Sequence, residues 1–537
     1  MLIGASNKGR KLNLIYKIDI IKNMININIP TLSLNISNNI NFINDLSNNK
    51  LINIRYKKYL WKIHIGAIYI YNTLTKKKEI FEPIEYPFVR IYHCGITPYD
   101  YSHIGHLRAE VSIDIIRRIL RFFGYIDIAI SNFTDIDDKI INRANELATK
   151  DWQSIPRNNI RYHLEQIKRL NNLPFYINPL VTEHINEISE FVKDLIDKGY
   201  AYTGKYSIYF DVDKYKDYGK LSGNKKEYWD QETNVLEDKK NPYDFALWKF
   251  KKDGEPYWKT IIGEGRPGWH IECSTMSSRY LGKQFDIHSG AQDLIFPHHE
   301  NEIAQSEARF NINPWVKYWI HVGLLKIKGE KMSKSLKNII PAKDFIDKYG
   351  PEIVRFYFAS YHYREPIDVN EDSIEQAKKN YNYIESTIKI IVSNIGNLER
   401  TFYLDQKNIE IFNNMLKYEK EFIDNLRDDF NIGKATVTLL ELTKYINRYV
   451  INSNIFTLYY KAYEFYKNAS IIYGLWENIF CNNKDNNINQ IINLLIDIRK
   501  DLRDNRLYNL SDKIRNRLKE LGIELLDSGD KTIYKFS

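Results

Sequence analysis

At 537 residues the chain is long enough for several domains, and a hydrophobic share of 43% with 14% aromatics excludes a disordered or low-complexity protein. A formal net charge of +9, from 77 Lys and Arg against 68 Asp and Glu, permits a nucleic-acid partner without demanding one. Three cysteines exclude a disulfide framework and point to a reducing compartment, and no apolar run approaches the ~18 residues of a membrane span.

Residues 1–65 carry ten Lys or Arg but only Asp19 and Asp45 as acids, and are rich in Ser and Asn. That composition fits an organellar transit peptide, a basic arm or an extension with no role, and does not choose among them. The expected compartment is accordingly the cytoplasm, or a plastid or mitochondrion if the segment is a transit peptide.

The first organised unit is a βαβ crossover. Pro87 to Tyr92 is short, β-branched and aromatic. Leu107 to Phe123 has apolar residues at helical spacing with Arg117, Arg118 and Arg121 interleaved, Gly124 ends the helix, and Tyr125 to Phe133 reads as a second, buried strand. Such crossovers build parallel sheets, whose ligands bind beyond the carboxyl ends of the strands, and there stand Cys94, His103 and His106. The two imidazoles of His103-Ile104-Gly105-His106 share one side of a helix start, where backbone N–H groups favour polyphosphate. Taken alone, the tetrapeptide is equally a pair of capping histidines.

Thr134 to Lys139 follows the second strand, and helical patterns continue to about Tyr200. Residues of about 200–265 change to hairpin-like strands and turns, an insertion that splits the sheet. The second half opens at Gly265 and runs through Trp269, Cys273 and Asp293 to Phe296-Pro297-His298-His299-Glu300-Asn301-Glu302, with Pro297 suited to a first helical position. Lys331-Met332-Ser333-Lys334-Ser335 is a loop of two lysines and two hydroxyls, suited to charge developing on a leaving pyrophosphate, although alone it is any surface turn. Long amphipathic helices from about Asp372 to Trp476 predict a bundle, and an Asn-rich break at Asn482 to Asn489 precedes a last small unit. The expected divisions are 1–65, a catalytic domain 66–345, a linking stem 346–385, a bundle 386–484 and a C-terminal domain 485–537.

Cys94, Cys273, His298 and Glu302 form a second constellation. Two thiolates, an imidazole and a carboxylate suit zinc, with His298 and Glu302 four apart on one helical face. The spacing is scattered, and two buried free cysteines are ordinary.

Taken together, the His-Ile-Gly-His and Lys-Met-Ser-Lys-Ser motifs resemble the signatures of class I aminoacyl-tRNA synthetases. With Cys94-Gly95, Tyr99-Asp100, Thr134 to Lys139, Asp244 to Lys249, Gly265 to Ser274, Phe296 to Glu302, Asp428 to Asn431 and Lys513 to Leu525, residues of roughly 85–537 resemble the cysteinyl-tRNA synthetase family. The resemblance implies an α/β fold: a Rossmann-like parallel-sheet catalytic domain split by an insertion, then an α-helical bundle and a small C-terminal domain. It implies one Zn²⁺ on Cys94, Cys273, His298 and Glu302, with His93, His270, His288, His299 and Cys481 outside the ligand set. ATP contacts and catalysis fall on His103, His106, Lys331 and Lys334 with Mg²⁺ on the phosphates, and substrate contacts on Thr97, Trp269 and Asp293. Partners are cysteine, ATP and tRNA(Cys), with no membrane, and a monomer is expected. Ile96, Pro98, Ala109 and Lys337 depart from the family pattern, the last with a possible effect on closing of the lysine loop.

The activity implied is ligation of cysteine to tRNA(Cys) through a cysteinyl-adenylate, zinc selecting the substrate thiolate. A rival is a ligase joining cysteine to an amino sugar, which needs no anticodon reader; another is a non-catalytic tRNA-binding protein. Intact motifs and the basic residues of 490–537 speak against both.

Overall fold

The computed structural model describes residues 66–224, 226, 238–327, 329–332, 338–480, 484–528 and 531–536. The expectations for the basic segment 1–65, for Lys334 and Lys337, and for Cys481 lie outside the described residues, as does the side chain of Lys331.

The described chain enters through a hairpin, β1 (Tyr69–Asn72) and β2 (Lys77–Ile80). β3 (Phe88–His93), helix α1 (Ile104–Phe122) and β4 (Ile126–Ser131) form the βαβ unit, with His93 opposite Ser131 in a parallel ladder. Leu107, Val111, Ile115 and Ile119 bury the face of α1 expected from their spacing. Gly124 then takes φ +87, and the Tyr125 N–H donates to Leu120 O as the chain turns into β4.

The opposite face of α1 is buried as well, which its interleaved charges did not suggest. Arg117 pairs with Asp127 at 2.6 Å and donates to the carbonyl oxygens of Leu173 and Pro174. Asp114 accepts from Arg118 at 2.9 Å and from Arg355, while Arg118 also reaches Ile471 O and Asn171 O. A buried charge is tolerable only when paired and hydrogen-bonded, and these guanidiniums meet that condition with near carboxylates, Asp114 and Asp127, and with distant partners such as Ile471 O for Arg118 and Asp114 for Arg355.

Helices α2 (Asp138–Glu146), α3 (Ser154–Arg169) and α4 (Ile185–Asp197) lead to the insertion. There β5 (Ala201–Thr203), β6 (Ser207–Phe210), β7 (Phe245–Phe250), β8 (Trp258–Thr260) and β9 (Gly263–Pro267) form an antiparallel sheet in the order β5-β6-β7-β9-β8. Helix α5 (Trp269–Leu281), β10 (Phe285–Ala291), helix α6 (Glu300–Phe310) and β11 (Val316–Val322) complete the parallel sheet in the order β11-β10-β3-β4. From β3 the chain builds outward in one direction, and from β10 in the other. The strand order therefore reverses between β3 and β10, which is where a parallel sheet opens a crevice.

After the sheet, β12 (Leu325–Ile327) and β13 (Glu330–Lys331) carry the start of the lysine loop. Helices α7 (Ala342–Tyr349) and α8 (Pro351–Ala359) and strand β14 (Ile367–Val369), which pairs with β12, lead to the bundle. Its long helices are α9 (Glu371–Ile395), α10 (Gln406–Arg427), α11 (Ile432–Tyr449) and α12 (Phe456–Tyr473). The division expected at 385 falls inside α9, because Tyr381, Ile384, Ile388 and Ile391 continue one buried stripe across it. Asp429, between α10 and α11, accepts from the Tyr71 N–H at 2.8 Å, from Tyr363 and from Arg364, so the Asp428 to Asn431 motif fastens β1 to the bundle. A short helix, α13 (Glu477–Phe480), precedes α14 (Lys484–Asp504), α15 (Tyr508–Glu520) and the hairpin β15 (Ile523–Ser528) and β16 (Lys531–Phe536). That last unit has its own small core of Ile492, Leu518, Ile523 and Leu525.

Candidate active site and metal cluster

The crevice between β3 and β10 is lined by a buried cluster of soft and hard donors. Cys94 follows β3, and its N–H donates to Ser289 O of β10 at 2.9 Å, so the strand pairing itself sets the height of the thiol. Gly95 is required next: a Cβ there would stand 1.6 Å from Asn132 O. The Cys94 Sγ lies 3.7 Å from Cys273 Sγ on α5, and 3.6 Å from both His298 Nε2 and Glu302 Oε1. His298 Nε2 and Glu302 Oε1 are 3.0 Å apart.

The sequence pattern put His298 and Glu302 on one helix beginning at Pro297. The backbone differs: Phe296 is extended (φ −137, ψ 133), residues 295–299 form a wide turn, and the regular helix starts at Glu300. The wide turn also delivers His299, which the sequence reading left outside the ligand set. Its Nε2 lies 3.3 Å from Cys94 Sγ, and Cys94, His298, His299 and Glu302 offer ligand atoms within 4.8 Å of one another.

Around these donors sit further imidazoles. His288 Nε2 meets Glu302 Oε2 at 3.0 Å, His270 Nδ1 meets His298 Nδ1 at 3.0 Å, and His299 Nδ1 meets His321 Nε2 at 2.8 Å. Such contacts orient ligating side chains and fix their tautomers. Burial acts against the charge on Glu302, but the His288 and His298 rings outweigh it and hold the carboxyl at about 2. Burial likewise opposes the charge on His298, yet Glu302 and Cys273 carry it up to about 10. The Cys94 thiol donating to Cys273 holds the latter down to about 6 against burial, and burial pushes Cys94 itself well above the ordinary thiol range. Taken by themselves, these groups favour a thiolate at Cys273 and a carboxylate at Glu302 around an imidazolium at His298.

The second part of the site is the start of α1. His103 is the N-cap, its N–H donates to His106 Nδ1 at 3.2 Å, and the two rings stack 3.8 Å apart. Because His106 Nδ1 accepts, the proton of the neutral ring sits on Nε2, which makes that nitrogen a donor. Burial, then His103 and His163, push His106 well below its ordinary value, so it is neutral. Beyond the lysine loop the chain returns to this point, with the Ile104 N–H donating to Ile340 O at 3.1 Å and the Ala342 N–H to Ser102 O at 2.9 Å. A Cβ on Gly105 would meet the Met332 Cε at 2.9 Å, so the loop's own methionine rests on the histidine motif.

Of the expected substrate contacts, Trp269 is half-buried and stacks on His298 with centroids 4.4 Å apart. Thr97 is half-buried in the turn after Cys94, and Asp293 is exposed in the turn that ends β10. All three stand at the carboxyl ends of strands or at the α5 start, around the same crevice. Lys331 ends β13, antiparallel to β12.

A family model described as the class I tRNA synthetase (C) catalytic domain matches residues 80–379. The cysteine–tRNA ligase of Thermococcus onnurineus is 47% identical over 473 residues, covering 87% of this chain and 99% of that protein. The cysteine–tRNA ligase of Methanococcus vannielii is 46% identical over 476 residues, covering 87% and 98%. Among solved structures, Mycobacterium tuberculosis methionyl-tRNA synthetase in complex with methionyl-adenylate aligns with a TM-score of 0.55 at 14% identity, covering 72% of this chain and 89% of that one. The LeuRS of Agrobacterium radiobacter K84, in a ternary complex with tRNA and LeuAMS, gives 0.57 at 9% identity, covering 73% and 85%. The structures share the fold, and the sequences decide the family: the chain belongs to the cysteine–tRNA ligases of the class I aminoacyl-tRNA synthetases.

Proposed function

We propose that this ligase charges tRNA(Cys) in two steps at the β3–β10 crevice, first joining cysteine to the α-phosphate of ATP with loss of pyrophosphate, then passing the cysteinyl group to the terminal ribose hydroxyl of the tRNA. The observation that carries the reading is the meeting, at one strand-order reversal, of a buried thiol-and-imidazole pocket with a helix start that presents His103 and His106. His106 Nε2–H and the α1 N-terminal amides donate to phosphate oxygens, while Lys331 and Lys334 meet charge that develops on pyrophosphate, with Mg²⁺ on the phosphates. Thr97, Trp269 and Asp293 position cysteine, Trp269 by its ring and Asp293 as partner for the ammonium group.

The pocket residues fit zinc. For metal–sulfur bonds of about 2.3 Å and metal–nitrogen or –oxygen bonds of about 2.05 Å, a tetrahedron has S–S edges of about 3.8 Å, mixed edges of about 3.6 Å and an N–O edge of about 3.4 Å. Cys94, Cys273, His298 and Glu302 stand 3.7, 3.6, 3.6 and 3.0 Å apart along the measured edges, the two thiols at the S–S edge; His299 Nε2 stands 3.3 Å from Cys94 Sγ but 4.0 Å from Glu302, a more uneven fit. We therefore assign the first four as ligands, with His299 beside them. When bound, zinc supplies a soft Lewis acid that prefers a substrate thiolate to a hydroxyl. The chain's own part is to hold the donors, exclude water and keep Cys273 deprotonated.

The bundle and the unit from 484 onward serve the tRNA. Cysteine-dependent ATP–pyrophosphate exchange followed by transfer to tRNA(Cys) tests the main reading; transfer to an amino sugar instead of tRNA would overturn it. Removing residues 484–537, which have a core of their own, should leave exchange within about twofold while charging falls tenfold or more.

A further inference from the structure

Behind the histidine motif lies a buried carboxylate that the mechanism above does not use. Glu110 is four residues beyond His106 on α1, so both side chains leave the same face of the helix. Its Oε1 is 3.5 Å from His163 Nε2 on α3 and 4.0 Å from His93 Nε2 at the end of β3. All three are at least nine-tenths buried. The His163 ring in turn stands edge-on to His106, centroids 6.4 Å apart and planes at 89°.

Burial would raise the Glu110 carboxyl, but the facing His163 and His93 rings, with Arg117 behind them, hold it below its ordinary range. An ionised carboxylate only accepts, so His163 must present a proton at Nε2, which fixes its tautomer and ring plane. Helix α3 is itself pinned around the site: Asn159, one turn before His163, donates to Pro98 O at 3.0 Å, and the Tyr162 hydroxyl accepts from the Lys343 N–H at 3.1 Å. One face of α3 therefore touches the turn before the histidine motif, the motif's helix and the helix after the lysine loop.

We propose that Glu110 and His163 form a positioning pair for His106, the carboxylate holding the His163 ring edge-on against His106 so that His106 presents Nε2 to the phosphates in one orientation. His93 extends the same contact to the pocket, since its Nδ1 lies 2.8 Å from Ser289 Oγ, on the residue whose carbonyl accepts from Cys94. A single buried charge thus keeps the phosphate edge and the thiol pocket in register. The inference rests on the assignment of His106 to the phosphates, and its test separates the two.

Full-length Glu110→Gln keeps the side-chain volume and an acceptor oxygen while removing the charge. His163→Gln serves as a second variant if the first folds poorly. Either should lower kcat for cysteine-dependent ATP–pyrophosphate exchange about tenfold to a hundredfold, the scale of a displaced catalytic group, with the KM for cysteine within twofold and the thermal midpoint little changed. On a His106→Asn background the same substitution should cost less than twofold, because the group it positions is gone. A His106→Asn enzyme with full kcat would overturn the phosphate assignment itself. A large His106→Asn effect overturns the positioning pair instead if Glu110→Gln and His163→Gln keep wild-type kcat. So does an equal cost on both backgrounds, or a loss carried by the KM for cysteine.

Discussion

The two parts of the active site are built in opposite ways. The thiol pocket has buried donors that come from three separate stretches of sequence, the end of β3, helix α5 and the turn into α6, brought together by the fold. The proposed phosphate edge is one helix start whose histidines are three residues apart in sequence and held by a local hydrogen bond, with Ile340 and Ala342 hydrogen-bonded beside it. On the proposed reading, selection of cysteine rests on preorganised burial, whereas activation rests on chain segments that meet at the start of α1, where Met332 and residues 340–342 contact it. Substitutions in the pocket should therefore be read in metal content and amino-acid choice, and substitutions at the edge in the rate of the chemical step.

The largest effect is expected in the pocket. Cys273→Ser exchanges a thiolate held near 6 for a neutral hydroxyl, leaving Cys94, His298 and Glu302 as an incomplete set. Metal analysis should find well under one zinc per chain, and cysteine-dependent exchange should fall to background. The apolar core of sheet and bundle does not pass through the cluster alone, so the fold should persist by circular dichroism. Full zinc content with full rejection of serine would make Cys273 a core thiol and bring His299 forward as the fourth ligand.

Next in size is the edge. Lys331→Ala with Lys334→Ala removes two cations proposed to act on charge appearing only as pyrophosphate leaves, and a lost donor of that kind costs on the order of 10² to 10³ in kcat. Equilibrium cysteine binding should be nearly unchanged. A comparable loss of cysteine affinity would erase the distinction between the two regions.

Much of the edge could be read from sequence because it is local: His103, Gly105 and His106 act through spacings that a helix start makes legible. The same holds for the βαβ unit, whose apolar period and closing Gly124 mark its strands and helix. The pocket was legible only through resemblance, since nothing in the spacing of Cys94, Cys273 and His298 says that β3 pairs with β10. Two features escaped for the same reason. The wide turn at 295–299 that turns His299 inward replaces a helix the pattern allowed, and the burial of Arg117, Arg118 and Asp114 depends on partners such as Asp127 and Arg355 that only the fold brings near.

A milder probe of the pocket is Trp269→Ala. The indole stacks on His298 beside the thiol pocket; if it contacts cysteine as proposed, its loss should raise the KM for cysteine about tenfold and leave the KM for ATP alone. Equal changes in both constants would mean that the ring supports α5 and not the substrate.

The smallest and most local probe is Gly105→Ala, which tests whether the edge and the lysine loop act as one. In the second helical position alanine is the better helix former by about 1 kcal/mol, so stability should hold or rise. The new methyl, however, would lie 2.9 Å from Met332 Cε and 3.0 Å from the His103 ring. Methionine is flexible and can give way, but the His103 ring is stacked on His106 and capped into the helix start, so the strain falls on the histidine pair. A threefold to tenfold fall in kcat for exchange, with an unchanged or raised thermal midpoint and an unchanged KM for cysteine, is the expected result. If kcat stays at the wild-type value, the contact between Met332 and the motif is only packing, and activation does not depend on how closely the loop seats on α1.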